Sequence, residues 1–515
     1  MAILKAPDTT AGRNDLLRSE RIAGGILPKV LNSFDMVVIV VAIILWIPNS
    51  AVMTGAGAAA FIYWGLGFIT FLIPGAIVTG QLGLMFPGEG SIYVWTTKAF
   101  GRFTGFIAGF CAWWPGILVM IAAGDVVVSL IQHLGTLFHM NPPPLASPGT
   151  QGFVIMITLV LSCVLSTLRF RVTQNLANTL FLVYGCAILL IGLAGILWLV
   201  TGHKTSTDLS FQSGNWGLKS SNFTFYGTVI LALLGIEVPL NMGVEIRDVR
   251  SIKRYLIWGS IIVMIAYLIT TFAVLVAVPL KNQGSPAGIT EAVHMGFGSA
   301  GTVLSAIVDV FLIGFFMVVI TVFNYSYARL LFVSGLDRRL PAIISKVSSK
   351  KVPWVAVLTQ TIIGISFTAI IFVLAPSVIS FKPAELPTGL STVVYSILNA
   401  SVAVVWCVSM SFLFIDVIII RRRYRDLFQR IRLAPVWVFY LCSVVGTIAS
   451  IFGIVVIFTS PWTNFFSPRL WWQWDIWIAS IAAASLLVAV VGFYIGQRTL
   501  KSDLRDEEII KVVTN

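Results

Sequence analysis

The feature that most constrains this chain is a succession of apolar blocks, each long enough to cross a bilayer and separated by short polar connections. A helix needs about 20 predominantly apolar residues to span the hydrocarbon core. Such blocks lie near residues 36–60, 62–86, 103–134, 152–168, 175–200, 223–246, 255–279, 303–333, 352–375, 389–420, 435–460 and 475–497, which predicts twelve spans. Only 11% of the 515 residues are charged, against about 25% in soluble chains. That composition excludes an ordinary water-soluble enzyme. Segments of about ten residues with alternating hydrophobicity, the mark of a membrane β-barrel, do not occur. The expectation is an all-α membrane protein with twelve transmembrane helices.

Charge placement gives a direction. With both termini on the cytoplasmic side, 29 of the 34 Lys and Arg residues fall in inner segments. Only Lys204, Lys219, Lys281, Lys382 and Arg469 fall in outer loops. This alternation follows the positive-inside rule and predicts a multi-pass protein of the cell membrane with both ends inside. It also accounts for the net charge of +13. The basic residues sit in short loops facing an anionic leaflet, without the aromatic interleaving of a nucleic-acid surface, so the bilayer is a partner and nucleic acid is not. The predicted organisation is a cytoplasmic tail over 1–33, a first repeat of five spans over 34–202, and a second repeat over 223–421. Two further spans occupy 434–497, and a second cytoplasmic tail occupies 498–515. No signal peptide is expected, because the first block begins near Met36 and is too long for one.

The remaining titratable residues suggest no metal and no cofactor. Cys111, Cys163, Cys186, Cys407 and Cys442 each lie inside an apolar block with no Cys-x-x-Cys spacing, which reads as small buried hydrophobes. His133, His139, His203 and His294 all fall at the outer surface or in outer loops and are expected to be solvated. A membrane-embedded transferase would need a His/Asp or Asp/Glu cluster at a membrane face. The inner loops contain no histidine, so the chain is not expected to be an enzyme.

A transporter needs polar contacts at mid-membrane, and an interrupted helix supplies them from its backbone. Span 1 contains Ile47-Pro48-Asn49-Ser50, and span 6 contains Gly235-Ile236-Glu237-Val238-Pro239. Proline lacks an N–H and clashes with the carbonyl four residues earlier. Pro48 therefore frees Ile44, Pro239 frees Gly235, and gaps are predicted over Val41–Ile44 and Gly235–Glu237. Two simple proline kinks are the alternative. The two interruptions lie five spans apart, the spacing of inverted repeats built from spans 1–5 and 6–10. Glu237 is the one acid close to the midplane, where burial disfavours the charged form. It is either a proton-coupling group or a structural acceptor for the broken helix ends. Glu245, near the inner end of span 6, lies beside Arg247 in the chain.

Several motifs resemble those of amino acid–polyamine–organocation (APC) permeases. Pro87-Gly88-Glu89-Gly90-Ser91-Ile92-Tyr93 followed by Phe100-Gly101 resembles the family's segment between helices 2 and 3. Gly235-Ile236-Glu237 running to Glu245-Ile246-Arg247-Asp248 resembles its broken sixth helix. Ala328-Arg329-Leu330-Leu331 through Asp337-Arg338-Arg339-Leu340-Pro341 resembles its signature after helix 8. The mid-span proline of helix 1 is similar to the glutamate/GABA-antiporter branch. The resemblance implies a leucine-transporter-type fold, a 5+5 inverted repeat plus two C-terminal helices, working by alternating access. It implies substrate contacts at Val41, Ala42, Ile43 and Ile44 of helix 1, and at Gly235, Ile236 and Glu237 of helix 6. A packing aromatic in helix 8 falls on Phe323, and the family's helix 6 gating aromatic is replaced by Leu231. The family's Gly-x-Gly in the helix 1 gap is Val41-Ala42-Ile43 here. Trp113 matches a frequent family tryptophan and is read as packing.

The function these features imply is secondary active transport of a small-molecule substrate, an amino acid or related amine. Transport would proceed by proton symport or exchange, with Glu237 as the proton-coupling candidate. A polyamine or organocation permease is the alternative substrate class, and a transport-inactive sensor with the same fold is the alternative role.

Overall fold

The computed structural model describes residues 16–514 apart from 212–213, 220–221, 285–286, 375, 377–388, 460 and 463–470. The first 15 residues of the predicted tail, with Lys382 and Arg469, lie outside the described residues. The described chain is nearly all helical. In order, the helices are α1 (Arg18–Ile26), α2 (Ser33–Ile44), α3 (Pro48–Met53), α4 (Ala59–Gly67), α5 (Ile73–Met85), α6 (Ser91–Phe100) and α7 (Arg102–Leu137). Next come α8 (Pro148–Thr167), α9 (Phe170–Val200), α10 (Thr224–Ala232), α11 (Arg250–Ala277), α12 (Gly288–Gly296) and α13 (Gly301–Leu336). The last are α14 (Trp354–Ala369), α15 (Gly389–Arg423), α16 (Arg425–Arg430), α17 (Val436–Ile457) and α18 (Trp471–Thr514). Among the described residues, ten helical segments are long and apolar enough to cross a membrane, and a bent pair formed by α2 and α3 raises the number to eleven. The packing axis is the pair α7 and α13, 36 residues each. At 1.5 Å per residue each is about 54 Å long, so both outrun the roughly 30 Å hydrocarbon core.

The two interruptions flank this axis. α2 opens on a reciprocal cap: Asn32 Oδ1 accepts the Asp35 N–H at 2.9 Å, and Asp35 Oδ2 accepts the Asn32 N–H at 2.9 Å. The helix then runs unbroken through Ile44, because the Leu45 N–H still closes on the Val41 carbonyl at 2.8 Å. The break covers Leu45–Ile47, where the axis bends by 43° and Pro48 starts α3. The predicted gap at Val41–Ile44 is therefore corrected by about one turn. Proline without an N–H serves as the first residue of a new helix, so the disruption falls between the freed carbonyl and the ring.

Bare backbone groups at this depth would be costly, and two tyrosines satisfy them. The Tyr267 hydroxyl of α11 donates to the Ile44 carbonyl at 2.6 Å and accepts the Trp46 N–H at 2.9 Å. The Tyr184 hydroxyl of α9 donates to the Leu45 carbonyl at 2.9 Å and lies against the Ile47 N–H.

The second interruption begins where α10 stops. Beyond Ala232 the chain is irregular to Glu237, then continues as tight turns over Val238–Asn241 and Gly243–Glu245. The pivot is Gly235, at φ +107°. A β-carbon there would strike Ile43 and sit 3.1 Å from the Trp406 ring, so both conformation and space demand glycine. Tyr267 reaches this element too, lying 3.2 Å from the Ala232 carbonyl.

Ion pairs and hydrogen bonds tie the first described helix to the bundle. Asp337 at the end of α13 accepts the Ser19 N–H at 2.7 Å, the Ser19 hydroxyl at 2.9 Å and the Tyr93 hydroxyl at 2.9 Å. Glu20 pairs with Lys98 at 2.9 Å, so α1 straps α6 to α13. Beneath it, Glu245 pairs with the buried Arg329 at 2.7 Å, and Glu89 lies 3.5 Å from the same guanidinium. The counterion of Glu245 is thus Arg329, 84 positions further along the chain, and not its sequence neighbour Arg247. Elsewhere in the bundle, His133 is mostly buried between Asp309 at 2.7 Å and Glu291 at 3.7 Å. It joins α7, α12 and α13 and is not a solvated loop residue, which corrects the sequence expectation.

These contacts generate four expected outcomes. Tyr267→Phe leaves buried peptide groups unpaired and lowers stability by about 1–3 kcal/mol, read by thermal unfolding in detergent, and Gly235→Ala destabilises more. Asp337→Ala releases α1, read as faster proteolysis within residues 16–30. The imidazole of His133 holds the Glu291 carboxyl below the usual carboxylate range, with burial opposing it. A lowered acid stabilises the fold above its unfolded value of about 4.3 and loses that contribution as pH falls through the folded value. Glu291→Gln therefore lowers the melting temperature at pH 7, and the difference from the unsubstituted protein shrinks below about pH 5.

Candidate functional site

The two breaks face each other across a small cavity of about 20 Å³. Ile43 and Ile44 from the end of α2, Leu231 from α10 and Phe323 from α13 line it. Four positions singled out from the sequence are thus brought together. Val41 and Ala42 lie farther back within α2, and Gly235, Ile236 and Glu237 form the turn behind the cavity wall. A void of this size has room for one water, so a larger ligand enters only as the walls separate.

Much of the backbone that the breaks expose is already engaged. The Ile44 carbonyl takes Tyr267, the Gly235 carbonyl takes the Val238 N–H at 3.1 Å, and the Ile236 carbonyl takes the Tyr255 hydroxyl at 3.3 Å. Two buried side-chain groups beside the cavity are different. Glu237 accepts one hydrogen bond at Oε1, from the Trp406 indole N–H at 3.1 Å, while its Oε2 has no partner among the described residues. Asn399 lines the cavity, and its Nδ2 likewise has none. A buried polar atom left unpaired costs about 1–3 kcal/mol. One carboxylate acceptor and one amide donor therefore stand ready for complementary groups.

Aromatic rings frame them. Phe323 stacks on Tyr327 at 5.2 Å, Trp46 meets Phe323 edge-on at 6.4 Å, and Tyr327 meets Trp406 edge-on at 5.8 Å. Sequence reasoning did not single out Asn399, Trp406 or Trp46. The available signal was the i, i+7 spacing of Asn399 and Trp406, which puts both on one face of α15. Trp113, read as packing, lies away from this cavity, and its indole N–H donates to Gln360 at 3.1 Å. Gln360 in turn donates to the Asn324 backbone carbonyl. Among the described residues no group of three His, Cys, Asp or Glu side chains could hold a metal ion.

Comparison with known sequences identifies the family. The chain is 24% identical over 361 residues to an uncharacterized transporter of Legionella pneumophila, covering 68% of this chain and 75% of that protein. It is 24% identical over 365 residues to the branched-chain amino acid permease BcaP of Lactococcus lactis subsp. cremoris, covering 66% of this chain and 76% of the relative. A probable agmatine/putrescine antiporter of Lactococcus lactis subsp. lactis, AguD, is 22% identical over 289 residues, 54% of this chain and 59% of its own length. The sequence profile described as amino acid permease matches residues 31–495. That match takes in both breaks and nearly all of the apolar helices, so the chain belongs to the amino acid permease family of the APC superfamily and is a multi-pass membrane transporter.

Proposed function

We propose that this protein carries a primary amine, an amino acid or a related compound, across the cell membrane by alternating access around the cavity between the two breaks. The observation that carries the reading is the pair of unpaired groups, Glu237 Oε2 and Asn399 Nδ2, buried beside that cavity. An ammonium group complements the carboxylate of Glu237, and a substrate carboxylate complements the amide of Asn399. Phe323 and Trp406 pack on the substrate body.

The relatives' printed substrates support the class. They include branched-chain amino acids, agmatine and putrescine, which share an amine and differ elsewhere. The polyamine alternative draws on Glu237 with its aromatic neighbours, which suit a cation whether or not a carboxylate is present.

In this reading α10 and the turns that follow it form one interrupted passage. Added to the ten continuous segments and the bent α2–α3 pair, it gives twelve passages in two repeats, 34–202 and 223–421, followed by 434–497. Both ends then face the cytoplasm, and the α1 strap closes that side. Glu237 is the group through which a proton would couple. The substrate-binding positions expected from the sequence keep their roles at Ile43, Ile44, Leu231, Gly235, Ile236, Glu237 and Phe323. Val41 and Ala42 lie inside the regular part of α2, so this reading gives them no backbone contact with the substrate.

The test is counterflow in proteoliposomes with a panel of amino acids and polyamines. Glu237→Gln keeps the side-chain volume and the acceptor for Trp406 but not the charge. Amine uptake is expected to fall about tenfold or more, matching the loss of one charge-assisted contact. Undiminished uptake and unchanged pH dependence in that variant would remove Glu237 from the mechanism. Ligand-induced thermal stabilisation without any counterflow would instead identify a sensor.

A further inference from the structure

We infer that a crevice between α7, α13, α14 and α18 seats one acyl chain of an anionic phospholipid, from the leaflet on the side where both chain ends emerge. The crevice holds about 180 Å³ and shares no lining residue with the central cavity. Its walls include Phe106, Phe110 and Trp113 of α7, Leu330 of α13, and Val488 and Gly492 of α18. Of the three wall side chains that carry a donor, Trp113, Thr359 and Ser334, two are already engaged. Trp113 donates to Gln360, and the Thr359 hydroxyl donates to the Val355 carbonyl at 2.8 Å. An apolar cavity of roughly 150 Å³ stays dry and takes up a benzene-sized hydrocarbon. This one therefore accepts a stretch of lipid tail.

Position and charge identify the occupant. α18 is the most lipid-exposed of the long helices, with 22% of its apolar window buried. Leu487 and Val488 are 64% and 48% exposed, so the medium outside the crevice is the bilayer itself. Four cations lie close in the chain to its wall residues. Arg102 precedes Phe106 by one turn, Arg339 adjoins the wall residue Leu340, and Lys346 follows the wall residue Ile344 by two positions. Arg498 follows Gly492 by six residues on α18. Arg102, Lys346 and Arg498 are exposed, and the Arg339 guanidinium packs over the Phe493 ring at 5.8 Å. The nearest acid in the chain, Asp337, is engaged by Ser19 and Tyr93. An anionic headgroup above an inserted tail matches this pattern, as basic residues beside a membrane favour anionic lipid.

Gly492 supplies the handle for a test. A β-carbon there meets only the Phe106 ring, at 3.9 Å, so Gly492→Leu extends into the crevice without striking the backbone. The full-length protein is delipidated in detergent, then titrated with phosphatidylglycerol, phosphatidylcholine or soluble glycerol phosphate. Retained lipid is counted by native mass spectrometry, and melting is followed in parallel. The unsubstituted protein is expected to retain one phosphatidylglycerol that Gly492→Leu does not, with no response to glycerol phosphate. Replacing Arg102, Lys346 and Arg498 by Gln lowers the preference for phosphatidylglycerol over phosphatidylcholine about tenfold or more. Equal retention in the unsubstituted protein and a folded Gly492→Leu variant overturns the inference, as does a response to glycerol phosphate alone. A phosphatidylglycerol with a photoreactive group in its tail tests the same point without substitution. Labelling concentrated on peptides around Phe106–Trp113 and Val488–Gly492 supports the seat, and labelling spread evenly over the outer helices overturns it.

Discussion

A peptide group inside a bilayer has no water to fall back on, and this fold is organised around the two places where it departs from regular helix. Every carbonyl and amide released there needs a partner from another element. Tyr184 and Tyr267 meet that requirement for α2 and α3, and Tyr255 does so for the turn after α10. The tyrosines come from α9 and α11, so the packing of those helices is inseparable from the interruption. A proline in span 1 is thus only half of the break. The other half is a hydroxyl delivered from a distant helix at the right height.

The same requirement separates structural polar groups from those free to act. Arg329, Glu245 and Glu89 form a buried charge cluster, and Asp337, Ser19 and Tyr93 a hydrogen-bonded one. Glu237 and Asn399 differ because the bonding position that each leaves unfilled lies beside the central cavity. Their neighbours are large aromatic and branched side chains, which leave a void no bigger than a water. A carrier packed in this way makes room for cargo only by moving whole elements.

Much of this was legible in the chain itself. The apolar blocks marked the long helices, and Pro48 with the Gly235–Pro239 stretch marked both interruptions. Pro239 marks Gly235 as the residue whose carbonyl is freed, and the structure adds the reason for glycine, a left-handed backbone against Ile43. What failed to show were consequences of three-dimensional proximity. The break after α2 falls at Leu45–Ile47 because the Leu45 amide still reaches Val41, a detail of hydrogen-bond closure that no residue type encodes. Glu245 was read against Arg247, its neighbour in sequence, while its partner Arg329 arrives from α13. His133 passed for a loop residue because Asp309 and Glu291 belong to segments more than 150 positions away. Asn399 and Trp406 sit in a block otherwise indistinguishable from its neighbours, and only the fold turns them toward span 6.

Tyr267 carries one proton and faces two carbonyls, Ile44 at 2.6 Å and Ala232 at 3.2 Å. A phenol can satisfy one acceptor fully at a time. In the present arrangement the shorter contact takes it, and Ala232 is held more loosely. Rotation of that single bond would reverse the preference with no change in the number of hydrogen bonds. The ring thus ties the two severed helices to one hydroxyl, so neither broken end can shift without disturbing the contact that holds the other.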